Sequence, residues 1–146
     1  MGYLIKNCVE QRGCDFTILS GKKVEALEFV RKKLLDEVNK KGNSYGADNY
    51  NHSYLYVLNS SIIQAKTIEK LLLTFGYNPE VDETGNIISV NFEGEKLGQE
   101  YYLFEAIASF VQPYSWIEME DENRDIWRWI FEDNTCRQIY AAVIFP

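Results

Sequence analysis

One histidine, three cysteines and two short runs of carboxylates are the residues with which this 146-residue chain could do chemistry. His52 lies in the polar segment GNSYGADNYNHS, spanning 42–53, with no second histidine to form a metal pair. A lone imidazole works as a general base only where a nucleophile meets it in space, and its neighbours Asn49, Tyr50, Asn51 and Ser53 supply no such signal. Cys8, Cys14 and Cys136 are odd in number and lack CxxC spacing, so free thiols are expected rather than a disulfide framework or a zinc ribbon. There is no phosphate loop of the form GxxxxGK[ST], and no GxGxxG between a strand and a helix. Glu118 and Glu120 have the residue types of a glycosidase pair, but that chemistry needs a cleft holding two carboxyls at a set separation. Asp121, Glu122 and Asp125 crowd oxygen ligands into one turn, yet it lacks the central glycine of a calcium loop. A solvated turn is therefore expected, with no metal and no cofactor. The chain reads as a non-enzymatic protein.

The same acids gain another use from the elements that carry them. Ser115–Glu120 and Asp125–Phe131 have strand character, and side chains on a strand alternate faces. Parity puts Ile117, Met119, Trp127, Trp129 and Phe131 toward a core. Glu118, Glu120 and Arg128 then share the open face, where a cross-strand ion pair can form. If instead one aromatic of this hairpin stays partly exposed among the acids, it serves as an interaction anchor, because Trp, Tyr and Arg dominate interface hot spots. Candidate partner-binding residues are Glu118, Glu120, Asp121, Glu122, Asp125, Trp127 and Arg128. A second reading, a small-ligand binder such as a sponge for a signalling nucleotide, draws on aromatic stacking by Tyr50, Tyr54, Tyr56 and Trp127 beside Arg128.

Upstream, Gly2–Val9 and Asp15–Leu19 read as short strands joined by a turn around Arg12-Gly13. Ser20 is placed to cap the helix that follows, whose apolar residues Val24, Leu27, Val30, Leu34 and Val38 recur at helical spacing. The polar, breaker-rich segment 42–53 reads as a loop and Tyr54–Leu58 as a strand. A second helix is expected over Ala65–Phe75, ended by Gly76, then a hairpin turning at Asp82–Asn86 with Ile88, Val90 and Phe92 on one face and Gly85 at a positive φ. Gln99–Val111 reads as a third helix and Cys136–Phe145 as a last strand. Hairpins dominate this order. An α+β single domain over 1–146 follows, with a mostly antiparallel sheet and about three helices packed on one face.

Charge narrows the partners. The net charge is −7, but residues 1–41 carry nine bases and six acids, a balance of +3, while 91–133 carry eleven acids against Lys96, Arg124 and Arg128, a balance of −8. The acidic half repels phosphates and speeds encounter with a basic protein surface, so direct nucleic-acid binding is not expected. The bases of the first helix, Lys22, Lys23, Arg31, Lys32, Lys33, Lys40 and Lys41, scatter around its polar side as a solvated face would. No apolar run approaches membrane-spanning length, and MGYLIKN lacks the basic region and apolar core of a signal peptide, which points to the cytoplasm. The oligomeric state is open, a dimer included.

The segments GNIISVNFEGEKLGQE, LFEAIASFV, SWIEMEDEN and WRWIF resemble the closing half of a family of small acidic, uncharacterised proteins of bacteria, their phages and mobile elements. The resemblance runs from Ala65 to Arg137, and the tail QIYAAVIFP departs from it. No enzymatic activity and no catalytic residue come with it. By analogy it implies a counter-defence, anti-CRISPR-like inhibitor that blocks a host factor such as a defence nuclease, or a toxin-immunity protein.

Overall fold

The computed structural model describes residues 9–42, 60–93 and 100–142, leaving aside the side chains of 38–42. The expected strands Gly2–Val9 (all but Val9) and Tyr54–Leu58, the loop at 42–53 (all but Gly42) and positions 143–145 of the last strand lie outside them; the last strand itself stops at Tyr140 and does not continue through 141–142. In chain order the elements are β1 (Glu10–Asp15), α1 (Lys23–Gly42), α2 (Ile68–Thr74), β2 (Tyr77–Val81), β3 (Ile87–Phe92), α3 (Glu100–Ile107), β4 (Ser115–Glu120), β5 (Ile126–Glu132) and β6 (Thr135–Tyr140), with residues 60–64 also helical ahead of α2. Short 3-10 turns precede α1 at Ser20–Lys22 and extend α3 at Ala108–Phe110. Two antiparallel sheets result: four strands in the order β1-β4-β5-β6, and the hairpin β2-β3. This is the α+β architecture that the hairpin-rich order predicts.

The inward set on the large sheet is the one that alternation selects. Ile117, Met119, Trp127, Trp129 and Phe131 are all buried in one core cluster with Leu27, Val30 and Leu34 of α1, Leu71 and Leu72 of α2, and Leu103, Phe104 and Ile107 of α3. Phe104 joins the layers, its ring 5.2 Å from Trp129 and 5.5 Å from Phe131 in edge-to-face contacts. Helix α2 starts where Thr67 accepts a hydrogen bond from the amide of Lys70, and Gly76 leaves its end at φ +90°.

Four sequence expectations are corrected. The strand placed at Asp15–Leu19 lies earlier, at Glu10–Asp15, and only Ile18 beyond it pairs, exchanging hydrogen bonds with Ile87. Arg12-Gly13 is accordingly no turn: it is a bulge within β1, where the register against β4 slips between Gln11 and Gly13. Ser20 does not cap α1; it opens the 3-10 turn, and its amide donates to the side chain of Asn86. Val24 is 72% exposed and Ile88 points outward, while Ala26 and Ile87 take the buried positions. The bulge at Glu80/Val81 accounts for the second swap, since one extra residue re-phases a strand.

The two five-residue loops of the sheets are built alike. In Asp82–Asn86 the Asp82 carboxylate accepts from the amides of Thr84 and Asn86, and Gly85 adopts φ +89°. In Asp121–Asp125 the Asp121 carboxylate accepts from the amides of Asn123 and Asp125, and Arg124 adopts φ +69°. The first and fourth positions do the same work in both. Only the first loop has the glycine suited to a left-handed fourth residue.

Candidate functional site

Two faces of the large sheet are unequal: helices cover one, and the other meets solvent. Bulging at Arg12 gives the open face its centre. As the unpaired extra residue of β1, Arg12 turns its guanidinium onto this face, donating from Nε to Glu118 at 2.9 Å and from Nη1 to Glu120 at 2.8 Å. From the other side Arg128 on β5, directly opposite Glu118, donates to it at 2.7 Å and lays its guanidinium 4.5 Å above the Trp116 ring. Glu118 thus bridges two arginines, which hold its carboxyl below the usual carboxylate range, Arg128 contributing most. Arg137 of β6 is paired in turn with Glu132 at 2.7 Å.

Beside this ladder the face is apolar. Ile126, Ile130 and Ile139, with Ala141, floor a shallow depression of about 370 Å³ whose polar wall is Glu118 and Arg128. At the end of the strands the acids gather. Glu10, Glu120, Asp121 and Glu122, with Arg124, border a second depression of about 340 Å³. Glu122 and Asp125 are exposed there, and Asp121 is occupied in holding its own turn.

The candidate partner-binding residues are therefore sorted by the fold. Glu118, Glu120 and Arg128 come together on the open face, joined by Arg12 from more than a hundred residues away. Asp121, Glu122 and Asp125 adjoin them. Trp127 does not belong to this surface as an anchor: it is 2% exposed and faces the core. The half-buried aromatic on the open face is Trp116. Of the alternative ligand set, Tyr50, Tyr54 and Tyr56 lie outside the described residues, and a buried Trp127 offers no stacking platform. Sequence reading missed Arg12, Ile126, Ile130 and Ile139. Strand parity puts Ile126 and Ile130 on the same face as Arg128, and their apolar character on an open face is the available signal; Arg12 carries none, because its position depends on the bulge.

The bases of the helical layer include structural ties. Lys23 is 2.5 Å from Glu69 and donates to the carbonyl of Gly85 at 2.8 Å, and Arg31 donates to the carbonyl of Ala65. Cys136 of β6 is buried against the core, which pushes its thiol up to about 12, and Cys14 is half-buried beside Ser89. Among the described residues no group of three or more His, Cys, Asp or Glu is arranged to hold a metal ion, and no helix is long and apolar enough to cross a membrane. No protein-family model, curated protein or solved structure matches the chain.

Proposed function

We propose that this chain is a non-enzymatic binding protein that lays the open face of its large sheet against a basic surface of a partner protein and blocks it. One observation carries the reading: an apolar floor of Ile126, Ile130 and Ile139 lies beside an acidic rim on the same exposed face. Interfaces of this kind combine a desolvated apolar centre with charged edges that steer approach. The steering falls to Glu122 and Asp125 rather than to Glu118 and Glu120, whose charges Arg12 and Arg128 already offset. A counter-defence role against a host nuclease, or immunity to a toxin, belongs to the same reading, since both block a cationic partner.

Affinity capture from host lysate tests it, with bound proteins identified by mass spectrometry at low and high salt. The wild-type chain retains a partner at low salt and sheds it at high salt. Glu122→Lys/Asp125→Lys slows association with that partner at least tenfold at low salt and flattens its salt dependence, because surface charges act mainly on encounter. Ile130→Asp removes binding by placing a charge in the floor. A partner whose capture ignores both variants refutes the assignment of the face.

A further inference from the structure

The two edges of the large sheet are treated differently. Edge β1 is kinked by its bulge and covered by the small hairpin: Gln11 donates to the carbonyl of Val90 at 2.7 Å and accepts from the amide of Phe92 at 2.9 Å, filling the place of a strand. Edge β6 has none of these devices. It pairs with β5 without a bulge, contains neither lysine nor proline, and among the described residues no strand lies beyond it. Exposed, regular edges of this kind are templates for another strand.

The direction of each amide on β6 follows from one hydrogen bond. Ala141 donates to the carbonyl of Ile126 at 2.9 Å, so by antiparallel alternation residues 139, 137 and 135 also bond inward to β5. Cys136, Gln138 and Tyr140 consequently turn their backbone groups outward. We propose that β6 pairs antiparallel with β6 of a second copy, about a two-fold axis normal to the sheet at Gln138, giving one continuous eight-stranded sheet.

Self-pairing is the occupancy that the charges favour. With Gln138 opposite itself, Cys136 faces Tyr140 of the second copy on the helix side, and Arg137 faces its Ile139 on the open side. No like charges oppose one another, and Arg137 keeps Glu132 of its own chain. About six backbone hydrogen bonds form, two for each of three outward pairs. The same axis throws the acidic turns Asp121–Asp125 to opposite ends of the joined sheet. Strand rise and spacing place them about 25–30 Å apart, roughly three screening lengths at physiological salt, so the −7 charge of each chain does not prevent the contact. Tyr140, 57% exposed, and Ile139, 38% exposed, become covered, and the apolar floors of the two open faces meet across the junction.

Light scattering of the purified chain, followed by two substitutions, decides the matter without any other partner. A dimer is expected up to about 200 µM, and a chain that stays monomeric over that range overturns the inference. Gln138→Pro deletes only an outward amide, which an edge strand tolerates, and weakens the dimer at least tenfold while circular dichroism keeps the native signal. A folded Gln138→Pro variant that dimerises as before refutes it. Should that variant fail to fold, mild oxidation of cysteine variants decides. Gln138→Cys crosslinks to itself, its α-carbons falling about 5.5 Å apart, whereas Ile139→Cys, displaced by about two residues from its own copy, does not. Crosslinking of both, or of neither, overturns the register.

Discussion

Replacing Arg124 by glycine should stabilise the fold, although Arg124 lies in the acidic turn where a cation looks useful. Arg124 stands at φ +69° in a loop whose twin places Gly85 at φ +89°. A left-handed conformation costs a residue with a β-carbon about 1–2 kcal/mol, and the extra freedom of glycine in the unfolded chain returns about 0.5–1 kcal/mol of that gain. The net expectation for Arg124→Gly is about 0.5–1 kcal/mol of added stability. Gly85→Ala should move the other way by about 1 kcal/mol, since it gains the left-handed penalty and brings its β-carbon to 3.4 Å from that of Ser20. Urea unfolding followed by the fluorescence of the buried tryptophans reads both. With a slope of about 2 kcal/mol/M, the midpoint rises by about 0.25–0.5 M for Arg124→Gly and falls by about 0.5 M for Gly85→Ala. Arg124→Ala loses the same charge but keeps a β-carbon, so it isolates the backbone contribution. Equal midpoints for Arg124→Gly and Arg124→Ala would show that charge, not conformation, governs the site, and would refute the argument from the paired loops.

Three further outcomes follow from particular contacts. Gln11→Ala strips the partners from the carbonyl of Val90 and the amide of Phe92, and should cost about 1–3 kcal/mol in the same urea assay. Asp82, held low chiefly by its hydrogen bond from the Asn86 amide, and Glu118, held low chiefly by Arg128, both lie below their ordinary values of 3.8 and 4.5 in the fold. The unfolded chain therefore takes up protons first as pH falls: the stability these two carboxylates contribute is fully present above about pH 5, declines through the ordinary carboxylate range and is lost below the lowered values. Asp82→Asn should flatten that acid limb, and an unchanged slope would remove Asp82 from the account. Cys136, with its thiol pushed up to about 12 by burial, should resist a thiol reagent at pH 8 in the native protein and react once urea unfolds the chain; rapid native modification counts against the packing of β6 over the core.

Alternation along Ser115–Glu120 and across Trp127–Phe131 was legible in the residue order, because on a strand the side-chain period is fixed by the backbone alone. It selected Ile117, Met119, Trp127, Trp129 and Phe131 as core and Glu118, Glu120 and Arg128 as open face, and the fold agrees. Burial of Leu27, Val30 and Leu34, the stop at Gly76 and the positive φ of Gly85 are equally local, each set by helical spacing or by a single residue's allowed dihedrals. Reading failed where one inserted residue changes the phase. At β1 the bulge converted a supposed turn into a strand, and at Glu80/Val81 it exchanged Ile87 for Ile88.

The acidity of the C-terminal half was determined by sequence, but whether those acids are free was not. Glu118 and Glu120 acquire Arg12 only because β1 lies beside β4, and that pairing joins residues 106 and 108 positions apart. No local pattern encodes a long-range register, which is fixed by which hydrophobic face each strand must bury and where a bulge falls. The same tertiary choice sealed one edge of the sheet with Gln11 and left the other edge, Thr135–Tyr140, without a neighbouring strand among the described residues. Sequence thus determined the inward set of the C-terminal hairpin and where negative charge accumulates. Strand order alone decided which charges are already matched and which face and edge of the large sheet stay exposed among the described residues.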